Sequence, residues 1–121
     1  MEIKQMKHGY ALVFKCSGKW DAVSSNQFWD EFEHRLMDGE EIFIFDLTEL
    51  DYLNARGTVS LLKAVKRLKS VSGSSAIVKG SGMLSEILEK TGVAQYTTVF
   101  DDLDAALDSF DDNSENDDSN E

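Results

Sequence analysis

The chain has 121 residues, of which 41% are hydrophobic, and this suits one compact domain with a single core. Its net charge of −11 argues against a nucleic-acid partner, because neutralising phosphates requires a basic surface. No apolar run approaches the roughly 20 residues that span a bilayer, and residues 1–10 lack the apolar segment of a signal peptide, so we expect a cytoplasmic protein without membrane insertion.

The first half of the chain predicts three strands and one helix. Strands are expected at residues 2–7, 10–15 and 41–47. The third strand is almost continuously apolar, which is typical of a central strand covered on both faces. Before it, Phe28, Phe32 and Leu36 recur at helical spacing, in a helix that Ser24 or Ser25 can cap.

The second half predicts a loop at residues 48–54, followed by alternating helices and short strands. Helices are expected at residues 55–71, 81–91 and 101–110, and strands at residues 76–79 and 97–100. Because strands alternate with helices, the sequence predicts an α/β domain with a mixed, mostly parallel sheet. The two strands before the first helix allow one antiparallel pair.

The last eleven residues differ from the rest of the chain. Residues 111–121 contain six acidic residues, no basic residue and no hydrophobic one. Such a segment cannot bury surface to offset the entropy of ordering. We therefore predict a domain at residues 1–110 and an acidic disordered tail at residues 111–121.

No motif in the sequence predicts a catalytic site, a cofactor or a metal. The single cysteine, Cys16, lies in an apolar strand and is expected to be a buried packing residue. His8 and His34 are far apart and lack the ligand spacing of a metal site. Residues 80–82 (Gly-Ser-Gly) precede a helix and could bind a nucleotide, which would make the protein a weak nucleotide hydrolase. This alternative is disfavoured because a full phosphate-binding loop is missing.

Three segments resemble the STAS domain family, which includes the anti-sigma factor antagonists. Residues 18–22 (GKWDA) are similar to the family's G-x-L-D turn between the second strand and the first helix. Residues 45–57 (FDLTELDYLNARG) resemble its D-L-S-x-(V/L)-x-(F/Y)-(M/I/L)-D-S-S-G segment, and residues 90–93 (KTGV) resemble its T-G-L. The segments occur in the family's order, and the similarity covers about residues 10–108.

The resemblance implies a small α/β domain with a mixed sheet of about five strands and about four helices mainly on one side. It also implies partner switching, in which the unphosphorylated domain binds an anti-sigma factor that is also a Ser/Thr kinase. Phosphorylation of the first Ser of D-S-S-G then breaks the complex. In this chain Asn54 replaces the Asp, Ala55 the phosphorylatable Ser and Arg56 the second Ser, and Gly57 is kept. Because Ala55 has no hydroxyl, the usual switch cannot operate at this position.

The same resemblance puts the partner-binding surface in this segment and in the first turns of the following helix. We therefore assign partner contacts to Asn54, Ala55, Arg56, Gly57, Thr58 and Lys63. Thr58 and Ser60 are the nearest hydroxyls and are candidate relocated phosphosites, although hydroxyls within helices more often pack or bond to a carbonyl one turn back. Gly57 also suits a backbone conformation or a close approach that other residues would resist.

Positive charge is concentrated in the helix predicted at residues 55–71. Arg56 opposes the helix dipole, which indicates a partner contact or an ion pair with Asp46, Glu49 or Asp51. The helix has no acidic residue and four further basic ones, Lys63, Lys66, Arg67 and Lys69. The basic residues predict a solvated face, a docking face for an acidic partner, or a face to which the acidic tail folds back.

We therefore predict a non-enzymatic regulatory protein-binding module, similar to an anti-sigma factor antagonist. Its partner is expected to be an anti-sigma-type Ser/Thr kinase or a related regulator. The alternative is an accessory subunit of a transport ATPase or another complex, because STAS-like domains also serve in that role.

Overall fold

The computed structural model describes residues 1–80 and 82–116. Within them lie five strands, numbered in chain order: Glu2–His8 (β1), Ala11–Trp20 (β2), Ile42–Leu53 (β3), Ser74–Val78 (β4) and Thr98–Phe100 (β5). The helices are Ala22–Met37 (α1), Ala55–Ser70 (α2), Gly82–Thr91 (α3) and Leu103–Asn116 (α4), with a short 3-10 helix at Val93–Gln95. The order of strands and helices is the predicted one.

The five strands form one sheet whose spatial order, β1-β2-β3-β4-β5, follows the chain. β1 and β2 pair antiparallel, and each later pair is parallel. Each parallel connection moves one strand further in the same direction, so right-handed crossovers put α1, α2 and α3 on one face of the sheet. The predicted mixed, mostly parallel sheet with helices mainly on one side is confirmed.

The sheet face beneath α1, α2 and α3 carries a core rich in phenylalanine, which we call the aromatic face. Side chains alternate along a strand, and Leu12, Phe14 and Cys16 of β2 point towards this face. Phe28 and Phe32 of α1 pack onto it in nearly parallel planes, with ring centroids 6.1 Å apart. Cys16 is fully buried there, which confirms its predicted role as a packing residue.

The opposite face is covered by α4, and we call it the α4 face. Val13 of β2 and Ile44 of β3 point to this side and pack with Ala106 of α4. Towards β1 the same face becomes polar, where the Lys15 ammonium lies 3.4 Å from the Glu49 carboxylate. The apolar part of the α4 face is therefore much smaller than the aromatic face.

The prediction of a loop at residues 48–54 is wrong, because β3 continues to Leu53. β2 is also longer than predicted and reaches Trp20, so that Trp20 pairs with Leu53 at the end of the sheet. Two register shifts in β2, between Lys15 and Ser17 and between Gly18 and Lys19, interrupt the regular alternation. These irregularities hide the strand from a reading of period-two hydrophobicity.

Two helix ends also differ from the prediction. The cap of α1 is Asp21, whose carboxylate accepts a hydrogen bond from the Ser24 amide at 3.0 Å, rather than Ser24 or Ser25. α4 continues to Asn116, so the predicted boundary after Phe110 falls inside this helix. The rest of the predicted tail, residues 117–121, lies outside the described residues, and its disorder stays a prediction.

Candidate functional site

The first turn of α2 lies at the end of the sheet formed by Trp20 of β2 and Leu53 of β3. Asn54 caps the helix, because its side-chain Oδ1 accepts a hydrogen bond from the Gly57 amide at 2.8 Å. The Asn54 amide in turn donates to the Trp20 carbonyl at 3.1 Å. The segment that resembles the family's D-S-S-G motif is thus tied to the segment that resembles its G-x-L-D turn.

Gly57 is required here by close packing. A Cβ atom at this position would lie 2.6 Å from Cδ1 of Trp20 and 2.7 Å from Cδ1 of Leu53. Trp20 has little room to yield, since it is fully buried and its Nε1 donates to the Ser25 hydroxyl at 3.0 Å. The first turn of α2 therefore rests directly on the indole ring, and Trp20 fixes its height above the sheet.

Above this base, the predicted partner-binding residues point in different directions. Ala55 and Arg56 are exposed, whereas Asn54 and Thr58 are half-buried. The Thr58 hydroxyl donates to the Asn54 carbonyl at 3.0 Å, so it acts as part of the helix start. Of the two candidate phosphosites, Ser60 is the one that lines an open groove.

The ion pair considered for Arg56 is not formed. Among the described residues, none of the three nearby carboxylates pairs with its guanidinium. Asp46 instead accepts a hydrogen bond from the Thr48 hydroxyl at 2.7 Å, and Glu49 lies against Lys15. The Arg56 guanidinium consequently remains on the surface beside the exposed Ala55.

A groove of about 510 Å³ runs between α1 and α2 from this first turn. Arg56 and Lys63 lie along its α2 side, and the Lys63 ammonium sits 5.6 Å from the centre of the Trp29 ring. Val59 lies between them with 55% of its surface exposed. The groove combines cationic and apolar side chains.

Residues of α1 in this groove were missed by the sequence analysis. Asn26, Trp29 and Asp30 line its second wall, and they recur at the spacing of one helical turn. That spacing was visible in the sequence, but Trp29 fitted equally well with core packing. The sequence alone could not show that α2 lies beside this part of α1.

The basic residues of α2 do not form one positive face. Arg67 lies 3.6 Å from Glu33, on the α1 side, where Lys63 also lies. Lys66 points to the other side, with its ammonium 5.0 Å from the centre of the Tyr96 ring, and Lys69 lines a second cleft there. The two sides are separated by the helix itself, so the basic residues form two separate positive regions.

Two groups near the site have shifted pKa values. Hydrogen bonds from the Ser24 amide and then from its hydroxyl lower the pKa of Asp21, since both stabilise the carboxylate. Burial, followed by the negative charges of Asp46 and Glu31, raises the pKa of the Cys16 thiol to about 12. Cys16 is therefore a neutral thiol at physiological pH, unsuited to nucleophilic chemistry.

The other candidate sites from the sequence are not supported by neighbouring groups. Gly80 lies against the Leu47 carbonyl, 2.9 Å from where its Cβ would be, so packing accounts for it, and residue 81 lies outside the described residues. Within the described part of the chain, no three His, Cys, Asp or Glu side chains cluster as metal ligands. No helix in that part has the length and apolar character needed to cross a membrane.

The family model of the STAS domain matches residues 2–106 of this chain. Among curated protein sequences, none matches it. The anti-sigma factor antagonist SpoIIAA in its unphosphorylated form is similar in structure, with a TM-score of 0.74 and 15% identity, over 91% of this chain and 98% of that one.

Two further solved structures share the fold. An anti-sigma factor antagonist from Mycobacterium paratuberculosis has a TM-score of 0.79 and 19% identity, over 89% of this chain and 92% of that one. Phosphorylated SpoIIAA from Bacillus has a TM-score of 0.73 and 15% identity, over 90% and 99%. Both phosphorylation states of SpoIIAA therefore resemble this chain to the same degree, and the likeness concerns the fold.

Proposed function

This chain belongs to the STAS domain family, and we propose that it is a non-enzymatic regulatory protein-binding module that acts as an anti-sigma factor antagonist. Its partner is an anti-sigma-type Ser/Thr kinase or a related regulator of a cytoplasmic partner-switching pathway. The resemblance of residues 45–57 to the family's switch segment supports this partner class.

The observation that carries the proposal is the construction of the first turn of α2. Ala55 and Arg56 are exposed there, while Gly57 and Trp20 hold the backbone beneath them in place. A partner that docks on a rigid turn loses less conformational entropy on binding than one that must order a loop. This turn therefore suits recognition by a second protein.

We propose that Arg56 and Lys63 select an acidic segment of the partner. They border the groove between α1 and α2, and Trp29 and Val59 offer apolar surface between the two charges. A segment with carboxylates flanking an apolar side chain matches this arrangement. On a chain of net charge −11, this local positive charge also orients the approach of such a partner.

We further propose that binding operates without the usual serine phosphorylation. Ala55 stands at the position of the phosphorylatable Ser and cannot accept a phosphoryl group. If the switch has moved, Ser60 is the better position, because the Thr58 hydroxyl is engaged with the Asn54 carbonyl. A phosphoryl group on Ser60 would stand in the groove and repel an acidic segment.

Affinity capture from the native cell extract tests the proposal, with wild type, Arg56→Glu and Lys4→Glu compared by mass spectrometry. Lys4 is an exposed residue of β1, so its reversal gives the same change in net charge away from the groove. We expect a kinase-like regulator to be captured by wild type and by Lys4→Glu, and to be lost with Arg56→Glu. A loss of at least tenfold in affinity is expected for removing a central charged contact.

An acidic substitution of Ala55 provides the complementary variant. We expect Ala55→Glu to weaken the same complex, because it puts negative charge where the partner's acidic segment docks. Capture of a transport ATPase, or of identical proteins by wild type and both α2 variants, would contradict the proposed partner or the proposed surface.

A further inference from the structure

A second cleft, of about 390 Å³, lies on the side of α2 that faces away from α1. Lys69 of α2, Thr97 before β5 and Phe110 of α4 contribute to its walls. The Ser75 hydroxyl donates to the Thr97 hydroxyl at 2.7 Å, so Thr97 keeps a proton that it can donate to an acceptor in the cleft. The cleft thus combines a cation, hydroxyl donors and aromatic rings, and the cation and the hydroxyl donors suit carboxylates.

Two lysines give this side of α2 its positive charge. Lys69 lines the cleft, and Lys66 lies over the ring of Tyr96, another residue of the cleft wall. Among the described residues, neither lysine forms an ion pair, in contrast to Arg67 on the α1 side. Two positive charges therefore stand close together on a protein whose net charge is −11.

The chain itself supplies negative charge next to this cleft. Phe110 forms part of the wall, and the acidic residues of 111–121 begin at the next position. The six helical residues after Phe110 advance by about 9 Å. The five residues that follow Asn116 reach up to about 17 Å when extended, so the last carboxylates can return to the lysines.

We propose that the cleft and the two lysines, Lys66 and Lys69, form a binding surface for residues 117–121, the part of the acidic tail that follows α4. Charge and position both favour this occupant: residues 117–121 contain three acidic residues and no basic one, and they follow the helix whose Phe110 forms part of the cleft wall. A short tether gives the tail an effective concentration in the millimolar range, so even weak ion pairs are populated. The contact neutralises this side of α2 and leaves Arg56 and Lys63 as the cationic surface open to an incoming acidic segment.

Paramagnetic relaxation by NMR tests the proposal on the full chain. Cys16 is the single cysteine and is buried, so a nitroxide on Ser119→Cys labels one site. We expect selective broadening of the amides around Lys66, Lys69 and Thr97, and little broadening along α1. The broadening should fall severalfold at about 0.5 M salt, where the screening length is only a few ångströms.

Charge reversal identifies the cause of any broadening. Lys66→Glu/Lys69→Glu is expected to abolish it, whereas Lys4→Glu/Lys90→Glu, with the same change in net charge at two other exposed lysines, should leave it unchanged. Replacing Asp117, Asp118 and Glu121 by Asn, Asn and Gln should abolish it too, and leaves the sequence of α4 unchanged. Uniform broadening, no broadening, or equal effects of the two lysine pairs would overturn the proposal.

Discussion

The aromatic face of the sheet is filled by rings from several elements, whereas the fully buried residues of the α4 face are small or branched, and this face becomes polar towards β1. Phe14 alone makes edge contacts with Phe28, Phe43 and Phe45, at centroid distances of 6.2, 5.7 and 6.0 Å respectively. On the α4 face, Ala106 packs with small or branched side chains of the strands, such as Val13 and Ala76. One face therefore carries most of the buried apolar area, which is the main source of stability.

This difference bears on where the candidate sites lie. The first turn of α2 rests on Trp20, which packs against Phe28 with a centroid distance of 4.6 Å, so the proposed partner surface is anchored in the aromatic face. The acidic tail begins within α4 and continues beyond it, and α4 packs on the smaller face. A rigid recognition surface and the segment proposed to tune its charge are thus joined to opposite faces of one sheet.

Truncation of one phenylalanine on each face should reveal the largest difference. We expect Phe28→Ala to lower the free energy of unfolding by about 3–5 kcal/mol, because it leaves a cavity among fixed rings. The matched variant Phe110→Ala should cost only about 1–2 kcal/mol, because this half-buried side chain is removed at the rim of the α4 face. Urea denaturation measures both values, and equal costs would contradict the inequality of the two faces.

A methyl group at Gly57 tests how firmly the aromatic face holds the site. Gly57→Ala should destabilise the fold by about 1–3 kcal/mol, since the new Cβ overlaps the buried indole of Trp20. In a Trp20→Leu background the cost should shrink, because two of the three closest atoms belong to the indole. A cost that is the same in both backgrounds would show that Trp20 does not set the height of α2.

The smallest expected effect concerns the thiol buried in the aromatic face. The folded-state pKa of Cys16 is raised to about 12 from 9.0, so above pH 9.0 the unfolded chain loses a proton that the folded chain keeps. Stability is therefore lost as pH rises from 9.0 towards 12, by about 0.8 kcal/mol at about pH 9.5. Thermal unfolding of wild type and Cys16→Ala should converge over this range, and parallel pH profiles would contradict the assigned shift.

The order of elements was predictable because most helices bury one regular apolar stripe and most strands bury alternate side chains. Phe28 and Phe32 in α1 and the continuous apolar run in β3 are signals that depend on local sequence alone. The extension of β3 to Leu53 was not predictable in this way, because it depends on pairing with the irregular end of β2. Ser25 was a reasonable cap from its residue type, but its hydroxyl accepts a hydrogen bond from the Trp20 indole, and Asp21 caps the helix instead. That contact depends on the fold and could not be predicted from the local sequence.

The candidate site was predictable only as a stretch of sequence. The family resemblance located Asn54 to Gly57, and the structure supplies the physical reason for Gly57, which is contact with Trp20. The division of the α2 lysines between two sides could not be predicted, because Trp29 and Tyr96, which attract Lys63 and Lys66, come from distant parts of the chain. Side-chain direction on a helix follows from its neighbours as well as from its period.

The sequential order of the strands has a consequence for folding during synthesis. The hairpin of β1 and β2 is closed by Gly9 and Tyr10, and each later strand pairs with the one made just before it. The sheet can therefore grow from its amino-terminal edge as the chain emerges from the ribosome, without waiting for a distant partner. α4 follows all five strands in the chain, so the face that it covers stays open to water and to chaperones until α4 itself has been made.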